Sequence, residues 1–269
     1  MILSAVTVSL VPEVRGGPFV FWDDLANACQ QAVSLGFDGI EIFPPSAQAV
    51  DAAQLRTLLK DNDLALAAVG TGAGWVRQRL SLTADDPAVR TQARRFIRTI
   101  IDLAGSLGAP AIIGSMQGRH GGGRSAQQAR EYLREALSDL GEHARSYGVP
   151  LLYEPLNRYE TNLCNTLGQA VELIRECPNV QLLADLFHMN IEEDHSPNAL
   201  REAAARIGHV HFVDSNRKAA GFGQLDFRPI AHALAAIDYA GYLSAEAFAW
   251  PDSHRAAQRT IETFRSFFR

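Results

Sequence analysis

The chain has 269 residues, 47% hydrophobic and 20% charged, enough for one large core or two small ones and ordinary for a globular fold. A net charge of −5, with arginines scattered rather than gathered into a stripe, argues against a nucleic-acid backbone as partner and favours small molecules. Cys29, Cys164 and Cys177 leave one thiol over in any disulfide scheme and lack metal-finger spacing. The N-terminal apolar run has no basic leader and falls short of the roughly 20 residues a bilayer needs. A reduced, cytoplasmic protein with no membrane partner is expected.

Short β-branched or apolar runs alternate with longer segments of helical period along the whole chain. "ILSAVTV" (2–8) reads as a first strand, followed by a helix over about 22–35 with its cap near Asp23 and its stop at Gly36. "GIEIF" leads to a helix at 51–61. "LALAAV" leads, through the glycine-rich loop "GTGAGW", to a helix at 88–106 whose Val89, Ala93, Phe96, Ile97, Ile100 and Ala104 share one face. "PAIIGS" precedes a helix at 125–146, and "VPLLYE" one at 165–176. "VQLLAD" precedes a loop and then a helix near 197–206, "GHVHFV" a helix near 228–238, and "YLSAE" a last helix at 254–268.

Eight strand–helix units with no low-complexity linker point to one domain, residues 1–269. Strand followed by helix demands parallel pairing and right-handed crossovers, and eight units in this length match a closed (β/α)8 TIM barrel. A doubly wound open sheet is the rival architecture.

In a barrel, reactive groups gather at the C-terminal ends of strands. Four candidates stand there: Glu154 closes "LLYE", Asp185 closes "LLAD", His211 lies in "HVHF" and Glu246 closes "LSAE". They are 31, 26 and 35 residues apart, each about one βα unit, so four successive strands aim one ligand apiece at the same mouth. Any one acid there could merely cap a helix, and His211 alone could be a hydrogen-bonded core histidine. The four in register are harder to assign to chance, and a shared divalent cation would offset the cost of burying them. Three carboxylates and one imidazole suit Mn2+ foremost, or Mg2+ or Co2+, and leave open positions for two adjacent sugar oxygens.

The segments "YEPLNRYETNLCNT" (153–166), "DLFHMNIEED" (185–194), "HVHFVDSNR" (209–217) and "EAF" (246–248) resemble the xylose isomerase-like TIM barrels, and within them the ketose 3-epimerases of the D-tagatose 3-epimerase group, relatives of hydroxypyruvate isomerase. "GFDGIEI" and "LGAP" echo the family more weakly. The resemblance implies that Glu154, Asp185, His211 and Glu246 bind the metal. It also implies that Glu154 and Glu246 move the C3 proton between opposite faces of a free ketose through a cis-enediolate. His188 and Arg217 are its implied substrate-binding pair, Glu160 its implied partner for Glu154, and a homodimer or homotetramer its implied assembly. Residue by residue, Glu160 could instead be a surface acid and Arg217 a loop cation paired with Asp214.

Three features depart from the family: the loop "GSMQGRHGGGRS", Leu183 two residues before Asp185, and Asp214 where a glutamate is usual. All three are expected to line or border the far end of the sugar pocket. Arg119, His120 and the N–H groups of Gly121 to Gly123 could meet a phosphate or carboxylate, or form an exposed flexible loop. Trp75 could wall the sugar or pack its own loop. "IEEDH" after His188 reads as a solvated helix start capped near Asp194 or Ser196, or as acids that order the mouth loop or a subunit contact. An aldose–ketose or hydroxypyruvate-type isomerase is the main alternative function, and a metal-dependent phosphodiesterase or repair nuclease a remoter one.

Overall fold

The computed structural model describes residues 1–268. Eight strands close into a parallel ring: β1 (Leu3–Ser9), β3 (Gly39–Phe43), β4 (Ala65–Gly70), β5 (Ala111–Ile113), β6 (Leu151–Tyr153), β7 (Val180–Asp185), β8 (Ile207–His211) and β9 (Tyr242–Ala245). β9 pairs back onto β1, with Leu3 opposite Tyr242 and Val6 opposite Ala245, so the closed barrel is correct and the open sheet is not. A two-residue strand, β2 (Phe21–Trp22), extends alongside the end of β1 and was not expected.

Helices α1 (Leu25–Leu35), α2 (Ala52–Asp61), α4 (Pro87–Ser106), α5 (Ala126–Arg145), α6 (Leu167–Ile174), α8 (Ser196–Ala203), α9 (Phe227–Ala236) and α10 (Ser253–Phe268) surround it. Most begin where a short polar side chain meets free backbone N–H groups: Asp24, Asp51, Asp86, Ser125, Thr166 and Asp226 each accept from the first turn. The cap of α1 is Asp24 rather than Asp23, and its stop is Gly36 at φ 86°. On α4, Ala93, Ile97, Ile100 and Ala104 are buried against the sheet, as the spacing requires. Truncating Ile97 or Ile100 to alanine would cost about 2–5 kcal/mol.

Inside the ring, Ala68, Ile112, Leu152 and Leu183 form a separate apolar plug. Ile112 of this plug reaches the cavity described below, whereas Leu183 is packed within the plug and is not part of that lining. Two further helices lie at the mouth: α3 (Ala73–Gln78), where a glycine-rich loop was expected, and α7 (Leu186–Glu192), directly after β7. The three cysteines are free and buried. No helix among the described residues is long and apolar enough to cross a membrane.

Candidate metal centre and active site

Glu154 and Glu246 follow the last residues of β6 and β9, while Asp185 and His211 end β7 and β8 and sit opposite each other in the pairing register. All four are buried, and each offers a ligand atom within 4.8 Å of the others. His211 Nδ1 lies 3.2 Å from Asp185 Oδ2, 3.4 Å from Glu154 Oε1 and 3.6 Å from Glu246 Oε2. Asp185 does two jobs: Oδ1 accepts from the N–H groups of Phe187 and His188 at 2.7 and 3.0 Å, capping α7, while Oδ2 turns into the cluster. The capping alternative and the cluster are thus both realised by one side chain.

The electrostatics act differently on Glu246, Asp185 and His211. Burial dominates at Glu246 and pushes its carboxyl up to about 8, despite the charges of His211 and Arg217. At Asp185, burial is outweighed by His188, His211 and Arg217, and the carboxyl stays ionised well below its usual range. Burial opposes the imidazolium of His211, yet Glu246, Glu41, Asp185 and Glu154 together hold it well above its ordinary value. Without a cation, a proton on Nδ1 is the positive charge these carboxylates share.

Among the described residues, Glu154 Oε1 and His188 Nε2 at the centre, and Arg217 Nε beside them, are buried without a hydrogen-bond partner. An orphaned carboxylate oxygen beside Asp185, Glu246 and an imidazole nitrogen fits a hard divalent cation. His188 receives Asn157 Nδ2 on its Nδ1 at 2.7 Å, so its Nε2 carries the proton, 3.9 Å from Glu154 Oε1 and 4.0 Å from Asp185 Oδ2.

Arg217 forks between Glu160 Oε1 at 3.1 Å and Glu246 Oε2 at 3.2 Å, and its guanidinium lies over the Phe187 ring. It adopts φ 59°, a left-handed conformation that costs a bulky residue energy and that its two ion pairs offset. Glu160 does not touch Glu154; Asn157 and Arg217 hold it, and it reaches Glu246 only through Arg217. Among the described residues the Asp214 carboxylate forms no ion pair with Arg217, whose backbone N–H meets only the Asp214 carbonyl, and Asp214 is not part of the cavity lining. Its oxygens accept from the N–H groups of Ser215, Gly221 and Leu225 and staple the β8–α9 loop.

A cavity of about 450 Å³ opens at the cluster, lined by the polar Glu154, Glu160, Arg217 and Glu246 and by the apolar Val11, Phe19, Phe43 and Val76. Phe43 can occupy its wall only because residue 70 is glycine: a Cβ there would sit 2.1 Å from the ring. Trp75 is not part of this lining; it is partly exposed on α3, beneath Arg79. The 117–120 part of the 115–124 loop is tied to its neighbours, while Gly121 to Gly123 are exposed. Gln117 Nε2 donates to the Glu154 carbonyl at 3.0 Å, Arg119 to the Tyr159 carbonyl, and the His120 N–H to Asn162 Oδ1. In the acidic tail, Glu192 receives the Arg158 N–H and guanidinium, Glu193 accepts from the Leu167 N–H, and His195 caps α8. The acids therefore order the mouth loop, and the helix does start where expected, with His195, between Asp194 and Ser196, as the capping side chain.

One buried acid at the centre was missed. Glu41 on β3 accepts from His209 Nε2 at 2.7 Å and His211 Nε2 at 3.0 Å, and the two histidines hold its carboxyl well below the usual range against a large burial penalty. A lone acid in the apolar run "GIEIF" and the H-x-H spacing of "HVH", which puts both rings on one face of β8, were the signals.

Residues 29–267 match the family described as xylose isomerase-like TIM barrels. The chain belongs to this family. An L-ribulose 3-epimerase from Mesorhizobium japonicum is 35% identical over 219 residues, covering 79% of this chain and 72% of the relative. A D-psicose 3-epimerase from Agrobacterium fabrum is 31% identical over 228 residues, 81% and 78% of the two chains. The crystal structure of a D-allulose 3-epimerase from Methylomonas sp. in complex with D-allulose matches with a TM-score of 0.83 at 26% identity, over 99% of this chain and 98% of that one. With such relatives, this xylose isomerase-like barrel is an enzyme of the isomerase class, an epimerase.

Proposed function

We propose that the protein is a divalent-metal-dependent ketose 3-epimerase acting on a free ketose. The observation that carries this reading is the convergence of Glu154, Asp185, His211 and Glu246 on one point, with two of the carboxylates arriving from strands on different sides of it. Those four residues would hold one cation, Mn2+ foremost, with Mg2+ or Co2+ as alternatives. When bound, it supplies positive charge beside the ketone and its neighbouring hydroxyl, which acidifies the intervening C–H.

This chain's own residues then carry the proton. Glu154 and Glu246 flank the sugar; one takes the proton from C3 and the other returns it on the opposite face of the planar enediolate, inverting the centre. Two bases are needed because a single base returns the proton to the face it left. His188 Nε2–H, without a hydrogen-bond partner among the described residues, donates to a substrate oxygen. Arg217 keeps Glu246 oriented and joins His188 in binding the C1–C3 end, with Glu160 fixing the guanidinium.

A free sugar is favoured over a phosphorylated one because the cavity's two arginines are already paired, Arg217 with Glu160 and Glu246, and Arg15 with Asp23. The relatives' chemistry at C3 favours this reading over an aldose–ketose isomerase, which would pass through a similar enediolate. A homodimer or homotetramer in the cytoplasm completes the proposal.

The test is to strip the protein with a chelator, restore Mn2+, and incubate it with D-psicose and L-ribulose. Metal-dependent appearance of the C3 epimers supports the reading. Turnover that survives the chelator, or an aldose product, contradicts it.

A further inference from the structure

His211 has two ring nitrogens, and the barrel gives them different tasks. Nδ1 faces Asp185, Glu154 and Glu246, whereas Nε2 points away from them to Glu41 Oε1 at 3.0 Å. Glu41 lies on β3 and His211 on β8, 170 residues apart, and both are fully buried. A carboxylate held between two ring nitrogens accepts from both, so Nε2 carries a hydrogen, and Nδ1 is the nitrogen that ligates once it gives up the proton it holds without a cation. Glu41's second oxygen accepts from His209 Nε2 at 2.7 Å, and the two imidazole rings stand nearly perpendicular, 85° apart.

We propose that Glu41 is a positioning residue. It fixes the tautomer and ring orientation of His211 so that Nδ1 is presented to the cation, and His209 holds Glu41 so that its carboxylate does not swing into the cluster as a fourth acid. This rests on the metal-dependent reading above. The geometry favours a hydrogen-bonded relay over a second metal site, because both Glu41 contacts have hydrogen-bond lengths. Groups that orient a ligating histidine through its other nitrogen typically change metal affinity 10- to 100-fold when removed. A glutamine at this position would have one accepting oxygen for two N–H donors, and its amide would oppose whichever ring it faced.

The test begins with titration of Mn2+ into the metal-free wild-type protein, followed by calorimetry and electron paramagnetic resonance. No binding would refute the metal reading itself. Given binding, one ion per chain is expected, and Glu41→Gln should raise the Kd at least about tenfold while its circular dichroism matches wild type. A Kd within threefold of wild type, or two ions per wild-type chain, would overturn the inference. Should the variant fail to fold, long-range 1H–15N spectra of the Mg2+-loaded wild type decide: His211 protonated at Nε2 supports the assignment, and His211 unprotonated there overturns it.

Discussion

Gly114, just beyond β5, lies against the proposed base Glu154. A Cβ built on Gly114 would come 2.4 Å from Glu154 Oε2, whereas ordinary contact begins at 3.4 Å. In Gly114→Ala the carboxylate must therefore move by about 1 Å, and a misplacement of that size costs on the order of 100-fold in rate, about 2.7 kcal/mol of transition-state stabilisation. The displaced atom is the end of a side chain, and the other contact, Leu156 at 3.8 Å, is already comfortable. Stability should barely change, with a Tm within about 3 °C of wild type. Steady-state kinetics on the Mn2+-loaded variant, beside a thermal melt, would show it. Activity within threefold of wild type would refute this account of where Glu154 acts, and so would an activity loss matched by a large fall in Tm.

Three further outcomes follow from the same geometry. Because Glu246 is pushed up to about 8 and His211 is raised as well, both hold protons at pH 7 in the metal-free protein and must lose them to ligate. Calorimetry in buffers of different ionisation enthalpy should find about two protons released per Mn2+ at pH 7, with affinity rising as pH is raised from 6 to 8; pH-independent affinity would contradict this. Glu154→Gln and Glu246→Gln should each lower kcat by about 1,000-fold or more while Mn2+ still binds by calorimetry, and substantial turnover in either would remove that residue from proton transfer. Arg217→Lys keeps the charge but loses the fork to Glu160 and Glu246. It should cost about 10- to 100-fold in kcat/KM with an unchanged circular dichroism spectrum, and an unaffected rate would show that the fork is dispensable.

The strands and the main helices could be read from sequence because their signals are local: apolar runs for the sheet, one-sided faces for the helices, and aspartates or hydroxyls at their starts. The four-donor cluster could be read for a related reason, since barrel topology turns a spacing of one βα unit into a shared mouth. What escaped depends on contacts between distant segments. Gly72 and Gly74 argue against a helix at 73–78, yet a Cβ on Gly74 would meet Met116 Sδ at 2.6 Å, so the glycine lets α3 pack closely on the 115–117 turn. In α7, Leu186 and Met189 supply the buried face, but the acids that follow hid so short a period. Glu41 finds its partners 168 and 170 residues away, and no feature near "GIEIF" says which histidines will receive it. Asp214 looked like a site residue by motif position and proved to be a loop staple.

The central claim is proton transfer at C3 between two carboxylates, and exchange with solvent tests it most directly. Mn2+-loaded protein would be incubated with D-psicose, L-ribulose and other free ketoses in D2O and the products followed by NMR. The account predicts deuterium at C3 of the epimer with inverted configuration. Deuterium at C1 or C2 with an aldose product, or no exchange with any free ketose, would contradict it.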